Sequence, residues 1–505
     1  MSNNRGVLVI YTGGTIGSKP TQPDPASPQV VVPWKELLEA TPELRRVQEH
    51  FRIDAFEGIP PLDSCNVGPN EWQVISQAIA DNYEDYEGFV VLHGTDTMVY
   101  TATALSYMLG NLTKPVILTG AQRSAMVSVR NDATQNLLTA LEFANPAFSG
   151  LPIIPEVCVY FGGALFRGNR TVKRDTGGYE AYESPNIEPL AVAGDRIVVN
   201  EVLVRKVESG KTFTLRKRLN TNVLPIFISP GIQDTEMVKR QLDTPGLKAA
   251  VVQAFGSGNI PTKPEFIELF RQARSKGVIL VAVSQCRTGP VELGIYETSA
   301  ALLESGFICA SDITLEAAQV KLMCLWGNED ATVEEVETDF QRSRAGEQTT
   351  SLLLTKLPDS GGSAIHDGSS PGRKRIRAQA LELPSDNKSI ERALLRLRRA
   401  KLVGPATSDT SESLPVAIWV FQDLSEDDPL DCTGPSFVNE YKRWPRGEEE
   451  RKIAGETGVL NLDVTDFVRS RVQSGERVSF TVAVGTPHAN LAWERAELAV
   501  YTRDT

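Results

Sequence analysis

The chain has 505 residues, of which 41% are hydrophobic and 23% are charged, and its formal net charge is −12. This length exceeds what one hydrophobic core usually organises, so roughly two to four domains of a soluble globular protein are expected. The acidic charge argues against nucleic-acid binding through a basic face, and no apolar run is long enough to span a bilayer, so neither nucleic acid nor membrane is expected as a partner.

The first predicted strand is the apolar run 7–11, which leads into the motif TGGTIG at residues 12–17. Two glycines after a strand allow a tight turn and a close backbone approach, and they place the hydroxyl of Thr15 near the carboxyl end of the strand. The motif lacks the GK[ST] of a P-loop and the GxGxxG spacing of a dinucleotide site. A nucleotide cofactor is therefore not expected.

A second polar motif, HGTDT at residues 93–97, follows the apolar run 89–92 and precedes a helical pattern over 97–109. Thr and Asp are frequent helix N-caps, because their side-chain oxygens accept from the first free backbone N–H groups. A helix start also suits a hydroxyl nucleophile or an anionic intermediate, since it offers spare donors and the positive end of the dipole. The residues alone favour capping and leave the chemical interpretation open.

From residue 7 to about 345, apolar runs alternate with helical patterns, which is typical of an α/β fold. Because the runs show no polar alternation, they predict parallel sheets covered on both faces. Ligands of such folds bind outside the carboxyl ends of the strands, where both motifs fall. Further strands are expected at 116–119, 157–160, 226–228, 249–253 and 278–283, and helices at 71–81, 132–142, 264–276 and 299–304.

Lys173, in the segment RGNRTVKRDT, is a candidate base for either threonine hydroxyl. A lysine desolvated beside other charges can accept a proton, although a solvated surface position is the favoured interpretation of Lys173 alone. The four histidines show no metal-ligand spacing and no accompanying GxSxG, so a hydrolase is expected to work without histidine or metal. Six scattered cysteines without a CxxC predict reduced thiols, and the N-terminus predicts no secretory signal, so a cytoplasmic protein is expected.

Beyond residue 347 the composition changes. Residues 348–378 are dominated by Gly, Ser, Pro and charge and predict a linker. Residues 379–505 contain runs rich in Val, Phe, Trp and Thr that are divided by turn residues, which predicts an antiparallel β-sandwich accessory domain. The stretch LNLDVTDFVRSRVQSGERVSFTVAV is similar, over a short length, to the DNRLRE-type β-sandwich modules of larger secreted proteins.

Over residues 5–347 the chain resembles the bacterial cytoplasmic (type I) L-asparaginases. The segments that carry the resemblance, in order, are YTGGTIG, PLDSCN, DYEGFVVLHGTDTMVYTATALSYML, KPVILTGAQ, FRGNRTVK, SPN, FGSGNIP and SQCRTGPVELGIY. The resemblance implies two α/β subdomains, residues 1–195 and 222–347, joined by residues 196–221. It also implies an amidohydrolase that cleaves L-asparagine to L-aspartate and ammonia without a cofactor, in a homotetramer built of close dimers.

The same resemblance implies the site residues. A nucleophilic threonine lies across the substrate from a Thr–Asp–Lys group, and its attack on the amide carbon gives an acyl-enzyme that water hydrolyses. Backbone N–H groups around the second threonine form the oxyanion hole, and the division of roles between the two threonines stays open. The catalytic residues are Thr15, chosen as nucleophile, with Thr95, Asp96 and Lys173, and the substrate-binding residues are Asp63, Ser64, Cys65, Gly94 and Gln122.

Two departures from the family concern the lid and regulation. The family carries a tyrosine on the loop after GGTIG, but this chain has none between Tyr11 and Tyr83, and four prolines stiffen the segment between Ser18 and Gln29. Gln253 stands where regulated members carry an arginine that binds effector asparagine, so such regulation is not expected. Two alternatives therefore remain: a binding or scaffold protein with little turnover, and an amidase for glutamine or a larger amide.

Overall fold

The computed structural model describes most of the first 356 residues and, beyond them, mainly strands. Contacts divide the chain into two compact units: residues 1–263, 279–340 and 344–348 form the first, and residues 264–278, 341–343 and 349–505 the second. Among the described residues, no helix combines the length and apolar character that a bilayer crossing requires. The described residues are 5–22, 27–207, 210–232, 235–291, 293, 301–303, 305–356, 362–365, 373–377, 388–398, 401–403, 416–422, 437–443, 459–464, 468–469, 479–484, 490–493 and 495–504.

The described strands up to residue 309 form five sheets, one of eight strands, one of four and three of two strands. They are β1 (Val7–Tyr11), β2 (Ser18–Pro20), β3 (Gln29–Val31), β4 (Ile53–Phe56), β5 (Gly88–Leu92), β6 (Leu109–Gly110), β7 (Val116–Thr119), β8 (Val157–Phe161), β9 (Ala164–Arg167), β10 (Val172–Lys173), β11 (Tyr182–Glu183), β12 (Ala191–Ala193), β13 (Ile197–Val199), β14 (Thr214–Leu215), β15 (Val223–Phe227), β16 (Ala249–Ala254), β17 (Ile279–Ser284) and β18 (Phe307–Cys309). The α-helices are Trp34–Ala40, Glu43–Gln48, Pro69–Asp81, Met98–Met108, Ala133–Ala144, Pro146–Ser149, Thr235–Leu242, Pro264–Ser275, Leu315–Leu325 and Val333–Phe340.

The larger sheet of the first unit has the strand order β13-β12-β9-β8-β7-β5-β1-β4. Its five strands from β8 to β4 are parallel, as the apolar runs predict, and every residue of β1, β5, β7 and β8 is buried. The three strands at the other edge are antiparallel, because tight turns lead from β8 to β9 and from β12 to β13. The sheet is therefore mixed, where the sequence pattern indicated a parallel one.

The smaller sheet of the first unit is entirely parallel, in the order β15-β16-β17-β18. Its inner residues Val251 and Val281 share a buried cluster with Val320 of the helix Leu315–Leu325. The two sheets correspond to the two predicted α/β subdomains. The predicted connection 196–221 contains strands β13 and β14, the second of which pairs with β6. The predicted helix 299–304 lies partly outside the described residues.

The described strands beyond residue 349 are all antiparallel and lie in sheets of order β19-β29-β22-β26, β20-β28-β23 and β21-β27-β24-β25. Three of them fall within 348–378, which the sequence pattern indicated as a linker, and the first pairs along its whole length with the last strand of the chain. The sandwich packing and the domain boundaries stay predictions. The strands are β19 (Thr350–Lys356), β20 (Gly362–Ile365), β21 (Arg373–Arg377), β22 (Lys388–Arg398), β23 (Lys401–Val403), β24 (Val416–Gln422), β25 (Phe437–Arg443), β26 (Val459–Asp463), β27 (Ser479–Val484), β28 (Asn490–Trp493) and β29 (Arg495–Asp504).

Candidate active site

The two motifs of the sequence analysis meet at one edge of the larger sheet. Strands β1 and β5 are parallel neighbours, so the turns that follow them leave the sheet side by side. Gly14 has a φ of 82°, and a Cβ built on it would lie 2.4 Å from the Cα of Gly94. Only glycine allows both this backbone conformation and this approach. Gly14 directly precedes Thr15, and Gly94 directly precedes Thr95. The close packing of the two glycines therefore places the two threonines near each other in the structure.

A third segment, the turn that begins at Ser64, packs against the second motif. A Cβ on Gly94 would lie 2.7 Å from both the Cβ and the Oγ of Ser64. The backbone N–H of Asp96 donates to the Ser64 Oγ (3.2 Å), and the Thr97 hydroxyl donates to the Ser64 carbonyl oxygen (2.6 Å). The predicted residues Ser64, Gly94 and Asp96 therefore lie in one cluster.

The capping interpretation of the second motif is wrong for the residue at the N-cap position. The helix Met98–Met108 has Thr97 as its N-cap residue, but the Thr97 side chain makes no capping hydrogen bond. Its hydroxyl donates to the Ser64 carbonyl oxygen (2.6 Å). The side chains of Thr95 and Asp96 both contact Lys173.

Lys173 connects the two polar side chains that follow Gly94. Its Nζ donates to the Thr95 Oγ1 and to an Asp96 carboxylate oxygen, each at 2.8 Å. The Lys173 side chain is 16% exposed and that of Asp96 is 66% exposed, while Thr95 is buried. An ammonium group beside a buried hydroxyl stabilises the alkoxide form of that hydroxyl, which is how a weak hydroxyl nucleophile or a proton relay is activated. The arrangement is suited to acyl transfer.

The sequence analysis missed Tyr182, which also contacts Thr95. Its hydroxyl donates to the Thr95 carbonyl oxygen, and burial, followed by the nearby Asp96 carboxylate, raises the pKa of the phenol above its ordinary value of 10.0. The sequence contains one signal for this contact, the DTGG turn between Lys173 and Tyr182. There the Asp175 Oδ1 accepts from the two following glycine N–H groups at 2.8 and 2.9 Å, and strands β10 and β11 pair on either side.

His93, beside the site, is held in a buried hydrogen-bond chain. The Trp72 indole N–H donates to the Thr101 Oγ1 (3.0 Å), and the Thr101 hydroxyl donates to the His93 Nε2 (2.9 Å). The His93 Nδ1–H then donates to the Gly94 carbonyl oxygen (2.7 Å), which fixes the tautomer. Burial lowers the pKa of His93 to about 4. His93 is therefore neutral at physiological pH and orients the Gly94 backbone.

The remaining predicted binding residues lie in flanking turns. The Asp63 Oδ1 accepts from the backbone N–H of Cys65 (3.3 Å), whose side chain is exposed. The backbone N–H of Gln122 donates to the carboxylate of Asp132 (2.9 Å), and its Nε2 donates to the Gly178 carbonyl oxygen (3.2 Å). Gln122 thus connects the turn after β7 with the hairpin that presents Lys173. A direct contact of Asp63, Cys65 or Gln122 with substrate stays a prediction.

The segment that corresponds to the family's lid forms the β2–β3 hairpin. The Ser18 hydroxyl donates to the Gln29 Oε1 (2.6 Å), and Ser18–Pro20 pairs with Gln29–Val31. The nearest preceding tyrosine, Tyr11, is buried, and its hydroxyl donates to the Val32 carbonyl oxygen (2.6 Å). Tyr11 therefore supports the base of the hairpin and does not take the place of a lid tyrosine.

Comparisons with known proteins agree with this geometry. Residues 6–205 match the family model described as Asparaginase, N-terminal, and residues 222–340 match the Glutaminase/Asparaginase C-terminal domain. L-asparaginase 1 of Escherichia coli (strain K12) is 36% identical over 351 residues, which cover 68% of this chain and 98% of that protein. The solved structure of L-asparaginase I from Vibrio cholerae is 37% identical with a TM-score of 0.60, covering 68% of this chain and 99% of that one.

The chain is also similar to part of a longer relative. The 60 kDa lysophospholipase of Mus musculus is 35% identical over 380 residues, which cover 70% of this chain. The present chain spans 65% of the length of that protein.

Proposed function

The chain belongs to the asparaginase family, and we propose that it is an amidohydrolase that hydrolyses the side-chain amide of L-asparagine to L-aspartate and ammonia. The observation that carries the proposal is the position of the Lys173 Nζ, 2.8 Å from both the Thr95 Oγ1 and an Asp96 carboxylate oxygen. The contact of Gly14 with Gly94 supports a second hydroxyl, that of Thr15, facing this group.

The reaction proceeds in two steps. The Thr15 hydroxyl oxygen bonds to the side-chain amide carbon of the substrate, the C–N bond breaks, and the nitrogen leaves as ammonia with the proton that Thr15 gives up. Water then attacks the resulting ester, which releases aspartate and restores the Thr15 hydroxyl. Thr95, held by Lys173, passes the proton in each step, and backbone N–H groups around Thr95 stabilise the oxyanion.

Substrate binding is assigned to the groups around the reacting amide. Ser64 holds the α-carboxylate of asparagine, and the exposed carboxylate of Asp96 holds the α-ammonium. The Ser64 Oγ accepts from the backbone N–H of Asp96 (3.2 Å), and this short distance supports the action of both residues on one small molecule. Asp63, Cys65, Gly94 and Gln122 complete the binding site in this proposal.

Ammonia release by the purified full chain tests the proposed function. Asparagine, glutamine and short aliphatic amides are compared at equal concentration, with Thr15→Ala as the matched inactive control. Asparagine is expected to be hydrolysed fastest, and Thr15→Ala is expected to bind aspartate while releasing no ammonia above background. Aspartate binding without turnover in the wild type would favour a binding protein and contradict the enzyme assignment.

Glutamine is a second candidate substrate, because the family model matched by residues 222–340 includes glutaminases in its description. The ratio of kcat/KM for asparagine to that for glutamine decides between the two. A glutamine or larger-amide preference would retain the same catalytic group and change only the substrate class.

A further inference from the structure

One hairpin contacts Thr95 with two side chains. Strands β10 and β11 pair antiparallel, and Lys173 is the direct cross-strand partner of Tyr182. Lys173 donates to the Thr95 hydroxyl, and Tyr182 donates to the Thr95 carbonyl oxygen. Cross-strand partners have neighbouring side chains, so this register lets the pair reach both polar ends of one residue.

The peptide group between Thr95 and Asp96 is held at both of its polar atoms. Its carbonyl oxygen accepts from the Tyr182 hydroxyl, and its N–H donates to the Ser64 Oγ at 3.2 Å. A peptide group is planar, so fixing its oxygen and its N–H fixes its orientation. The directions in which the Thr95 and Asp96 side chains leave the backbone follow from that orientation.

We propose that Tyr182 is a positioning residue, whose hydroxyl holds the Thr95–Asp96 peptide in the orientation that presents the Thr95 hydroxyl and the Asp96 carboxylate to Lys173. This role rests on the proposed asparaginase function. Ser64 is the second support of the same peptide, and it also belongs to the substrate-binding group. Tyr182 acts through Thr95 and does not touch the reacting atoms.

The ring of Tyr182 contributes to core packing, while its hydroxyl forms the hydrogen bond to Thr95. The ring packs edge-on against Phe161, with centroids 4.9 Å apart, inside a buried apolar cluster. That packing accounts for the burial of the side chain but does not require a hydroxyl. The hydroxyl makes the contact with Thr95, and because its pKa is raised it remains a donor throughout the range in which enzymes are assayed. A phenylalanine at position 182 therefore removes the donor and keeps the ring packing.

The test compares Tyr182→Phe with the wild type and with Tyr179→Phe. Tyr179 lies in the same hairpin, and its hydroxyl donates to the Arg130 carbonyl oxygen at 3.0 Å, away from Thr95. Tyr182→Phe is expected to lower kcat for asparagine about tenfold, because small displacements of catalytic groups have effects of that order or larger. KM and the affinity for aspartate, measured by calorimetry, are expected to change by a smaller factor than kcat, since only the Asp96 part of substrate binding depends on this peptide. Tyr179→Phe is expected to match the wild type.

Each outcome decides a separate point. An active wild type with an equally active Tyr182→Phe would overturn the positioning role and leave the proposed function intact. A lower Tm for Tyr182→Phe with unchanged kcat per folded molecule would assign the hydroxyl to stability alone and would also overturn it. A higher KM with unchanged kcat would contradict it, since positioning of the reacting groups changes kcat. A wild type without amidase activity would refute the proposed function itself and remove the basis of this role.

Discussion

At the scale of single residues, Thr95 has two polar contacts with different roles: one holds its backbone and the other contacts the hydroxyl proposed to take part in catalysis. Its hydroxyl contacts Lys173 and its carbonyl oxygen contacts Tyr182. His93, two residues earlier, forms hydrogen bonds at both ring nitrogens, and burial lowers its pKa so that the ring is neutral. Lys173 is therefore the described side chain that donates to the Thr95 hydroxyl, while His93 and Tyr182 contact the backbone around it.

Replacing either threonine is expected to remove activity and keep the fold. Thr15→Ala and Thr95→Val should each lower turnover at least about a hundredfold, as expected for loss of a nucleophile or of its activating partner. Ammonia release measures the loss, and thermal unfolding checks that stability has hardly changed. Near-wild-type hydrolysis in either variant would contradict the catalytic assignment and return the threonines to a purely structural role.

The buried neutral His93 predicts a pH dependence of stability. Its pKa of about 4 in the folded state lies below the ordinary 6.5, so the unfolded chain binds more protons at intermediate pH. The stabilisation is complete above pH 6.5 and is lost as the pH falls towards 4. The free energy of unfolding of the wild type should drop by about 2 kcal/mol more than that of His93→Gln between pH 7 and pH 5.

Urea unfolding at pH 5, 6 and 7 measures this difference, with His50→Gln as the control. His50 is exposed, so His50→Gln should follow the wild type. Parallel pH profiles for the wild type and His93→Gln would mean that His93 does not remain neutral in the folded protein.

At the scale of elements, the site depends on three turns that leave neighbouring strands at one edge of a sheet. The turns after β1 and β5 touch at Gly14 and Gly94, and the turn that begins at Ser64 packs against the second of them. The β10–β11 hairpin then supplies Lys173. None of these elements contains a complete site, so activity requires that all of them keep their relative positions.

The close contact of Gly14 with Gly94 predicts that substitution of Gly14 lowers both activity and stability. In Gly14→Ala the new Cβ would lie 2.4 Å from the Gly94 backbone, and the φ of 82° would strain any side chain. The turns must separate, so kcat/KM should fall at least about a hundredfold and the unfolding free energy by about 1–3 kcal/mol.

Gly177→Ala is the matched control for that substitution. A Cβ on Gly177 would meet no atom within 4 Å, although the residue lies in the hairpin that presents Lys173. Gly177→Ala should therefore keep activity and stability close to the wild type. Equal behaviour of the two variants, by steady-state kinetics and thermal unfolding, would contradict the close packing of the turns.

The β2–β3 hairpin predicts slow turnover, because its described residues contain no tyrosine. A hydroxyl nucleophile needs a neighbouring hydrogen-bond relay, and the family's lid tyrosine supplies part of it. Introducing tyrosine at Thr21, Gln22 or Ser27 should raise kcat more than it changes KM, and phenylalanine at the same positions should not. A wild-type kcat already near roughly 10 s⁻¹, with no gain from any tyrosine, would show that the hairpin is not limiting.

At the scale of the whole molecule, buried polar contacts join the two α/β subdomains of the first unit. Arg170 of the FRGNR segment forms a buried ion pair with Asp312 (2.9 Å), and the Asn169 Nδ2 donates to the Ala345 carbonyl oxygen (2.9 Å). Glu347 of the same terminal segment pairs with buried Lys321. These contacts hold the segment just before Lys173 against residues 312 and 345, so the position of Lys173, the proposed catalytic lysine, depends on distant parts of the first unit.

The oligomeric state is a prediction at this scale. Membership of the asparaginase family predicts a homotetramer built of close dimers. Light scattering of the full chain should give about four times the mass of a 505-residue monomer. A single monomeric species over a wide range of protein concentration would contradict it. The cytoplasmic location stays a prediction as well.

The sequence by itself determined the local elements and the candidate chemistry. Apolar runs located the central strands to within one to three residues at their ends, because burial on both faces of a sheet imposes an unbroken apolar pattern. The paired motifs indicated Thr15 and Thr95 at strand ends, with Asp96 and Lys173 as candidate bases, and the family resemblance implied how these four residues act together. Taken alone, the sequence around Lys173 predicts a solvated surface position, because it contains no sign of the contact with Thr95, 78 positions away.

Only the tertiary structure decided which groups meet. The Thr97 side chain does not cap its helix, and its hydroxyl donates to the Ser64 carbonyl oxygen, which lies 33 positions away and outside any local sequence pattern. Tyr182 reaches Thr95 because of the register of one short hairpin. Strand β19 lies in the segment that the sequence pattern predicts as a linker, but it pairs with β29, from Thr350 with Arg503 to Lys356 with Glu497. The periodicity of apolar residues indicates whether a residue is buried, but it does not indicate which distant residue or strand it contacts. Those long-range contacts determine the strand register and the geometry of the site.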